Sequence, residues 1–472
     1  MHGRRFQLLG VAALLSREGI LHYDWRVGIV RRTTKKSAPE DVKKRRWTGR
    51  LIQNAVALMV SSGGTAVLGV AFWGIAAHLA PARDVGRASA EIAAMVLLAN
   101  LAQLSFGSIF ERFLPVAGVR TRNFVIRAYV MCVMFAIVAA TLYVTLGFAQ
   151  RYLPSSMAWR SMFIFATMLW TIFVLQDSVL IGLRASRWVP VENILFALAK
   201  LAILPSLIAV AANQGIFLAW SAPVAGTIVA VTWYLFAKRI PDHQRLSPSS
   251  EGLPGTRELL LLAGAQYATL ILSVFSTSIV TLIVIQRLGA VANAHYYVPA
   301  QIASGLSLFL LSIVRSFLVE ASSEPHAVRY HAKVTIRALT VVVAPSVVVG
   351  VILAPWILGI FGSTYASHGT TLLRMLLLAL PGAAITAFYT SFAWLDKRVW
   401  WMAIRQLVSA IIYFVVLLLL IGHFGILATG IASLVSSGLQ GLFFLPISIR
   451  RYRQTTNYDA PLSGVADATE PG

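Results

Sequence analysis

Charged side chains stand inside several long apolar runs of this sequence, where they could bind an ion. Asp177 interrupts the run FVLQDSVLIGLRAS, which Arg184 closes, and Lys200 lies in the next run, VENILFALAKLAILP. A charged side chain in an apolar environment carries a large desolvation penalty unless it is paired. We therefore expect each of these side chains to have a charged partner, a ligand or access to water.

The spacing of Asp177 and Lys200 predicts that they meet. Asp177 precedes Arg184 by seven residues, which is about 10 Å along a helix and close to two full turns. Lys200 would lie roughly 15 Å into the following helix, which runs back beside the first. Asp177 then either forms an ion pair with Lys200 or Arg184 that fixes the register of the two helices, or it titrates while Lys200 binds an anionic ligand.

Arg374, in SHGTTLLRMLLLALP, is another cation placed deep in an apolar run. It lies about eight residues into the tenth run, which puts it roughly 12 Å below the start of the helix. A guanidinium is a planar fork of donors that suits phosphate. We expect Arg374 to face a cavity and bind an anion; the alternative is that its long side chain reaches back to the polar surface.

Three further charged residues lie at the ends of apolar runs. Glu111 and Arg112 close the second run, and Arg315 closes the eighth. Adjacent residues point in different directions on a helix, so Glu111 and Arg112 are not expected to pair with each other. Each of the three marks either a helix end at an interface or the entrance to a cavity.

The elements that must position these residues are apolar helices. The chain has 472 residues, of which 58% are hydrophobic and 12% charged, far below the roughly 25% charged content of a soluble domain. Runs of about twenty apolar residues are long enough to cross a membrane. Twelve occur, at about 52–79, 88–110, 126–148, 160–183, 190–212, 216–237, 258–286, 293–318, 335–361, 366–393, 399–421 and 424–448. The sequence predicts an all-α, polytopic membrane protein.

The positive charge is distributed unequally between the two sides of these spans. Segments on one side hold seventeen Lys and Arg residues and those on the other hold five. Because cytoplasmic loops collect positive charge, both termini are predicted to be cytoplasmic. Much of the net charge of +22 therefore lies in loops that set the orientation of the protein in the membrane. This favours contact with anionic lipids over a nucleic-acid partner.

Polar segments divide the chain into two halves. PDHQRLSPSSEGLPGT follows the sixth span and is rich in Pro, Ser and Gly, which is typical of a linker. We predict an N-lobe at 51–238, a cytoplasmic linker at 239–257 and a C-lobe at 258–449, with six helices in each lobe. Residues 1–50 are expected to form a basic, disordered extension, and 450–472 a cytoplasmic tail.

The sequence carries no pattern of a catalytic or metal centre. Cys132 is the one cysteine, and the nine histidines form no H-x-x-x-H pattern. A P-loop and a G-x-S-x-G elbow are also missing from the sequence. We predict no enzyme activity, no cofactor and no metal. An integral membrane polymerase or transferase of glycan assembly stays open as an alternative, although the sequence offers no long loop for such chemistry.

Five segments carry recognisable patterns, namely HLAPARDVGRASA, SIFERFLP, DSVLIGLRAS, VENILFALAKLAILP and ILGIFGSTYASHGTTLLRMLLLALP. They resemble the polysaccharide flippases of the multidrug/oligosaccharidyl-lipid/polysaccharide exporter superfamily, over about residues 50 to 450. Flippases of peptidoglycan precursors typically carry arginines in the first helix, whereas this chain has none between Arg50 and Arg83. The resemblance therefore favours O-antigen or exopolysaccharide units.

This resemblance implies a flippase of the bacterial cytoplasmic membrane that moves polyprenyl-pyrophosphate-linked oligosaccharides by alternating access. By the same resemblance, a central cationic cavity between the two lobes would bind the pyrophosphate and sugars, and a proton or sodium gradient would drive transport. Glycosyltransferases and a glycan polymerase are candidate partners. A multidrug or organic-cation antiporter of the same superfamily is the alternative, and would need acidic cavity residues. The predicted substrate-binding residues are Lys200, Arg374, Arg112, Arg184 and Arg315, and the predicted coupling residues are Asp177 and Glu111.

Overall fold

The computed structural model describes residues 64–246, 267, 271, 274, 278–323, 327–396 and 399–454. The predicted extension 1–50 and most of the predicted tail 450–472 lie outside these residues. The described part of the chain is helical throughout, with short turns and no strand. Its α-helices are α1 Gly64–Leu79, α2 Ala82–Ala102, α3 Phe106–Phe113, α4 Thr121–Thr145, α5 Met157–Gly182, α6 Trp188–Ala211, α7 Gly215–Tyr234, α8 Ile240–Leu246, α9 Ser278–Leu288, α10 Ala290–Ser323, α11 Val328–Gly359, α12 Ser363–Leu378, α13 Leu380–Leu395, α14 Val399–Phe424 and α15 Leu427–Gln454.

These helices confirm the predicted all-α polytopic fold. Ten helical stretches of the described chain are long and apolar enough to cross a membrane, and α1 and α9 are shorter apolar helices within the first and seventh predicted spans. Helices α1 to α7 lie within the predicted N-lobe, α8 lies in the predicted linker, and α9 to α15 belong to the predicted C-lobe. The lobe boundaries remain predictions; the first part of the predicted linker is helical, and α15 runs five residues past the predicted end of the C-lobe.

Two predicted spans are each built from two helices. The second span breaks between α2 and α3, where Leu104 and Ser105 adopt positive φ angles of 47° and 64°. The tenth breaks between α12 and α13, and Pro381 lies at the start of α13. Proline has no N–H to continue the preceding helix, but its fixed φ suits the first turn of the next one.

The two lobes meet along α2 and α10. A Cβ atom at Gly86 of α2 would collide with the carbonyl group of Ala290 at the start of α10, so only glycine permits this approach. The side-chain amide of Asn293 donates to Gly86 O at 2.8 Å and to Ser89 Oγ at 2.9 Å. We call this contact between α2 and the start of α10 the lobe seam.

Hydrophobic packing joins the lobes at the end of the molecule that contains the seam. One core cluster includes Trp73 and Met95 of the N-lobe together with Tyr297 and Leu377 of the C-lobe. At the other end, separate clusters lie within the N-lobe around Phe110, Leu175 and Leu235 and within the C-lobe around Phe317, Leu339 and Phe388. Among the described residues, the core cluster that contains side chains of both lobes is the one at the seam end. The sequence predicts that the opposite end, which carries more positive charge, is cytoplasmic.

Candidate functional site

Lys200 lies in a cage of aromatic rings. Its Nζ atom is 3.5 Å from the ring centroid of Trp220 on α7, 5.0 Å from that of Phe196 on α6 and 5.2 Å from that of Phe72 on α1. Phe196 and Lys200 are four residues apart, so they share one face of α6. The side chain is 5% exposed. Aromatic faces attract cations, so these rings stabilise the ammonium form of Lys200.

Lys200 and Arg315 line the same cavity, although they belong to different lobes. The cavity has a volume of about 350 Å³. Trp220 also borders it, and α10 contributes Gln301 and Ser304 beside Arg315. The residues that line it are Thr65, Ala66, Gly69, Val70, Lys200, Trp220, Gln301, Ser304, Gly305, Leu308, Leu311, Ser312 and Arg315. None of these described lining residues carries a carboxylate, so we call this space the central cationic cavity.

A larger cavity continues from the same arginine into the C-lobe. Its volume is about 500 Å³, and it shares Leu311 and Arg315 with the central cationic cavity. Arg405 of α14 and Gln440 of α15 lie on its wall. We call it the C-lobe cavity; it adds a further cation, Arg405, to a wall that Arg315 also lines.

The predicted ion pair of Asp177 is not present. Its Oδ2 accepts a hydrogen bond of 3.3 Å from the side-chain amide of Asn193, and no ion pair joins it to Lys200 or Arg184 in the described part of the chain. That prediction is wrong because Asp177 meets α6 almost two turns before Lys200, whose face of the helix turns to α1 and α7. The other carboxylate oxygen of Asp177 is buried without a hydrogen-bond partner, as are both oxygens of Glu192.

Arg374 does not line either of these cavities. It is exposed on α12, and its Nε donates to the carbonyl oxygen of Val351 on α11 at 3.0 Å. In a regular helix that carbonyl would accept from the N–H of the residue four positions later. That residue is Pro355, which has no N–H. Arg374 therefore satisfies a carbonyl group that a proline has left free.

Arg184 has a backbone role at the end of α5. It adopts a positive φ of 56°. Its N–H donates to Ile181 O at 2.9 Å, and the N–H of Ala185 donates to Leu180 O at 2.8 Å. This is the Schellman arrangement that commonly ends helices. The side chain of Arg184 is exposed, beyond the end of the helix.

Glu111 and Arg112 lie on the exposed surface of α3. The guanidinium of Arg112 is 5.3 Å from the ring centroid of Phe113. Neither residue borders the central cationic cavity. The structure therefore brings Lys200 and Arg315 together and leaves Asp177, Arg184, Glu111, Arg112 and Arg374 outside that cavity.

Sequence reasoning missed a buried carboxylate, Glu91. Its side chain is 1% exposed, and one oxygen accepts a hydrogen bond of 3.3 Å from Gln214. The sequence placed the start of this span near residue 88, which put Glu91 at an interface. The helix begins at Ala82 instead, directly after Pro81, so Glu91 lies in its third turn. Proline followed by an acidic residue, here Asp84, is a known signal of a helix start and could have located it.

Comparison with known proteins identifies the fold. No family model and no curated protein matches the chain. The MATE multidrug transporter DinF-BH gives a TM-score of 0.57 at 12% identity, over 87% of this chain and 96% of that chain. The inward-facing conformation of a multidrug resistance MATE family transporter of the MOP superfamily gives 0.56 at 13% identity, over 84% and 96%.

A third solved structure is described as having a binding pocket of reversed polarity. It is a MOP superfamily transporter from Pyrococcus furiosus for which a reverse polarity of the binding pocket suggests a different function; the TM-score is 0.55 at 14% identity, over 85% of this chain and 96% of that chain. At such identities the likeness establishes the fold, which is that of MATE transporters, while function depends on the residues of the site.

Proposed function

We propose that this chain is a membrane transporter that carries an anionic, lipid-linked substrate by alternating access. Polyprenyl-pyrophosphate-linked oligosaccharides are the substrate class, and the bacterial cytoplasmic membrane is the location. One observation carries the proposal: Lys200 and Arg315, from opposite lobes, line one cavity whose described lining residues include no carboxylate. A cavity of this kind favours an anion and disfavours a cation.

The chemistry of the two cations fits a pyrophosphate group. Lys200 is a compact point charge, and Arg315 is a planar fork that can donate two parallel hydrogen bonds to phosphate oxygens. The aromatic rings around Lys200 are neutral, so its ammonium group has no anionic side chain to release before it binds a ligand. Gln301 and Ser304 on the same cavity wall add neutral hydrogen-bonding groups.

The lobe seam supports a rocking mechanism. In the described part of the chain, the core cluster that both lobes share lies at the seam end, whereas the clusters at the other end each belong to one lobe; we infer that the central cationic cavity is closed at the seam end. Transport would break the hydrogen bonds of Asn293 to Gly86 and Ser89 and close the opposite end. We retain Asp177 as a proposed coupling residue, because one of its oxygens is buried without a partner. Glu111 also remains a proposed coupling residue, and Arg112 a proposed substrate-binding group at the cytoplasmic entrance.

Export of organic cations is the second candidate function. The observation that favours it is the fold, which this chain shares with transporters described as multidrug. A lipophilic cation would, however, meet Lys200 and Arg315 in the central cationic cavity, where like charges repel. The two functions make opposite predictions for the sign of charge that the cavity accepts.

A deletion strain distinguishes the two functions. Loss of the gene should reduce surface polysaccharide, cause lipid-linked intermediates to accumulate and leave drug sensitivity unchanged. Complementation with Lys200→Gln should fail at a normal protein level, while Lys238→Gln, which removes an exposed lysine of the same lobe, should restore export. Unchanged glycans combined with greater sensitivity to cationic drugs would contradict the proposal and support the second candidate.

A further inference from the structure

The C-lobe cavity has the size and the polar lining of a ligand site. Its volume of about 500 Å³ falls within the roughly 300–1,000 Å³ of small-molecule pockets. Four helices, α10, α13, α14 and α15, form its walls, and it meets the central cationic cavity at Arg315. Its polar lining residues are Arg315, Thr386, Thr390, Ser391, Trp394, Arg405, Ser409, Ser437 and Gln440. No acidic side chain is among these described lining residues.

Arg405 brings an uncompensated charge to this cavity. Its guanidinium donates to Gln440 Oε1 at 3.0 Å and to Gln406 Oε1 at 3.1 Å, both of which are neutral. Its buried Nε has no hydrogen-bond partner. By contrast, Arg451 in the same lobe pairs with Asp396 at 2.8 Å. A partly buried guanidinium held by two amides keeps its positive charge available to an anionic ligand.

The opposite wall offers acceptors. Thr386 donates its hydroxyl hydrogen to Gly382 O at 2.8 Å, Thr390 donates to Thr386 O at 2.7 Å, and Ser391 donates to Ala387 O at 3.2 Å. Each hydroxyl has spent its one hydrogen on its own helix, so its oxygen presents lone pairs to the cavity. These side chains can therefore accept hydrogen bonds from the hydroxyl groups of a ligand.

The remaining lining adds an aromatic face and a fixed amide. Trp394 is 52% exposed. Gln440 donates from Nε2 to Ser409 Oγ at 2.7 Å, which orients its amide so that Oε1 faces Arg405. Cationic donors, hydroxyl acceptors and an indole ring in one cavity match a ligand that is negatively charged, polyhydroxylated and has an apolar ring face.

We propose that the C-lobe cavity is a glycan subsite that binds a carboxylate-bearing sugar, with Arg405 on the carboxylate and the hydroxyls of α13 on the sugar hydroxyls. This inference rests on the proposed transport of a lipid-linked oligosaccharide and deepens it: the pyrophosphate binds at Lys200 and Arg315, and the adjoining cavity selects glycans that contain an acidic sugar. Trp394 stacks on the sugar ring.

Binding to the purified full chain tests this assignment by calorimetry with three probes. They are a soluble oligosaccharide containing glucuronic acid, the same oligosaccharide after reduction of its carboxyl groups, and inorganic pyrophosphate. The wild type should bind the acidic oligosaccharide at least tenfold more tightly than the reduced one. Arg405→Gln should bring this ratio below twofold and leave the Kd for pyrophosphate within twofold, while Lys200→Gln should weaken pyrophosphate and keep the ratio.

Matched variants separate the possible outcomes. Arg450→Gln removes an exposed arginine of the same lobe and should behave as wild type. Trp394→Ala, at an exposed position, should weaken both oligosaccharides equally, and it serves if Arg405→Gln does not fold. Equal binding of the two oligosaccharides by the wild type would overturn the acidic-sugar subsite and leave the proposed function standing. A preference for the acidic oligosaccharide without any binding of pyrophosphate would support the subsite and contradict the pyrophosphate part of the proposed function.

Discussion

The ammonium of Lys200 lies 3.5 Å from the ring centroid of Trp220, closer than to any of the other rings in its cage. The two residues come from neighbouring helices of the N-lobe, α6 and α7, and both border the central cationic cavity. The contact stabilises the charged form of Lys200 within a largely apolar wall.

The coupling between Lys200 and Trp220 can be measured with a double-mutant cycle. Trp220→Leu should destabilise the protein by about 2 kcal/mol through the lost cation–π contact of a desolvated pair, in addition to the loss of packing. In a Lys200→Met background the same change should be less destabilising by about that amount. Denaturant-induced unfolding in mixed micelles measures both. Additive effects of the two substitutions would show that the ring does not stabilise the ammonium group.

Arg374 allows a second cycle, with Pro355. Arg374→Ala should leave the carbonyl of Val351 unpaired and lower the free energy of unfolding by about 1–3 kcal/mol. Pro355→Ala supplies the missing N–H, so Arg374→Ala should be nearly neutral in that background. The folded fraction of Arg374→Ala should retain its export activity. A folded, membrane-inserted Arg374→Ala without any export would instead support the sequence-based expectation that Arg374 contacts the substrate.

Arg184 and Arg374 show what the sequence alone could not predict, namely the group that each charged residue contacts. A charge in an apolar run predicts that the side chain needs a partner, and for Lys200 the structure provides aromatic rings. The nature of the partner depends on how neighbouring helices are rotated, and the sequence does not contain that information locally. Aromatic rings from α1 and α7 took the place of the expected carboxylate at Lys200, and a proline on α11 determined the role of Arg374.

The overall fold was easier to predict than the site. Twelve apolar runs and an uneven charge distribution are strong signals, because each span must satisfy its own backbone hydrogen bonds in lipid. Helix ends are weaker signals, and a start placed six residues late put Glu91 at an interface. Arg405 was counted among the charges of the predicted cytoplasmic side although the predicted span already began at residue 399, as α14 does; Arg405 lies in the second turn of α14 and borders the C-lobe cavity.

Substitution of Arg184 by glycine separates a backbone role from a charge role. A residue other than glycine in the left-handed region is strained by roughly 1 kcal/mol, so Arg184→Gly should leave the protein equally stable or slightly more stable. Arg184→Ala keeps the strain and removes the charge. If both variants export normally, the side chain is dispensable. Equal loss of export in both, with normal thermal stability, would support the predicted substrate-binding role of Arg184.

The lobe seam yields the last prediction. Gly86→Ala introduces a Cβ atom that would collide with the carbonyl of Ala290, so the seam must open or its helices must shift. A Ser304→Cys reporter in a Cys132→Ser background reports access to the cavity from the predicted external side. Because the cavity is covered at this end, the reporter should react faster with a membrane-impermeant reagent in the Gly86→Ala protein than in the protein with Gly86. Gly226→Ala is the matched control, since an added Cβ there meets nothing within 4 Å. Substrate that holds the lobes in this conformation should slow the reaction. An unchanged rate in a stable Gly86→Ala protein would show that the seam does not control access to the central cationic cavity.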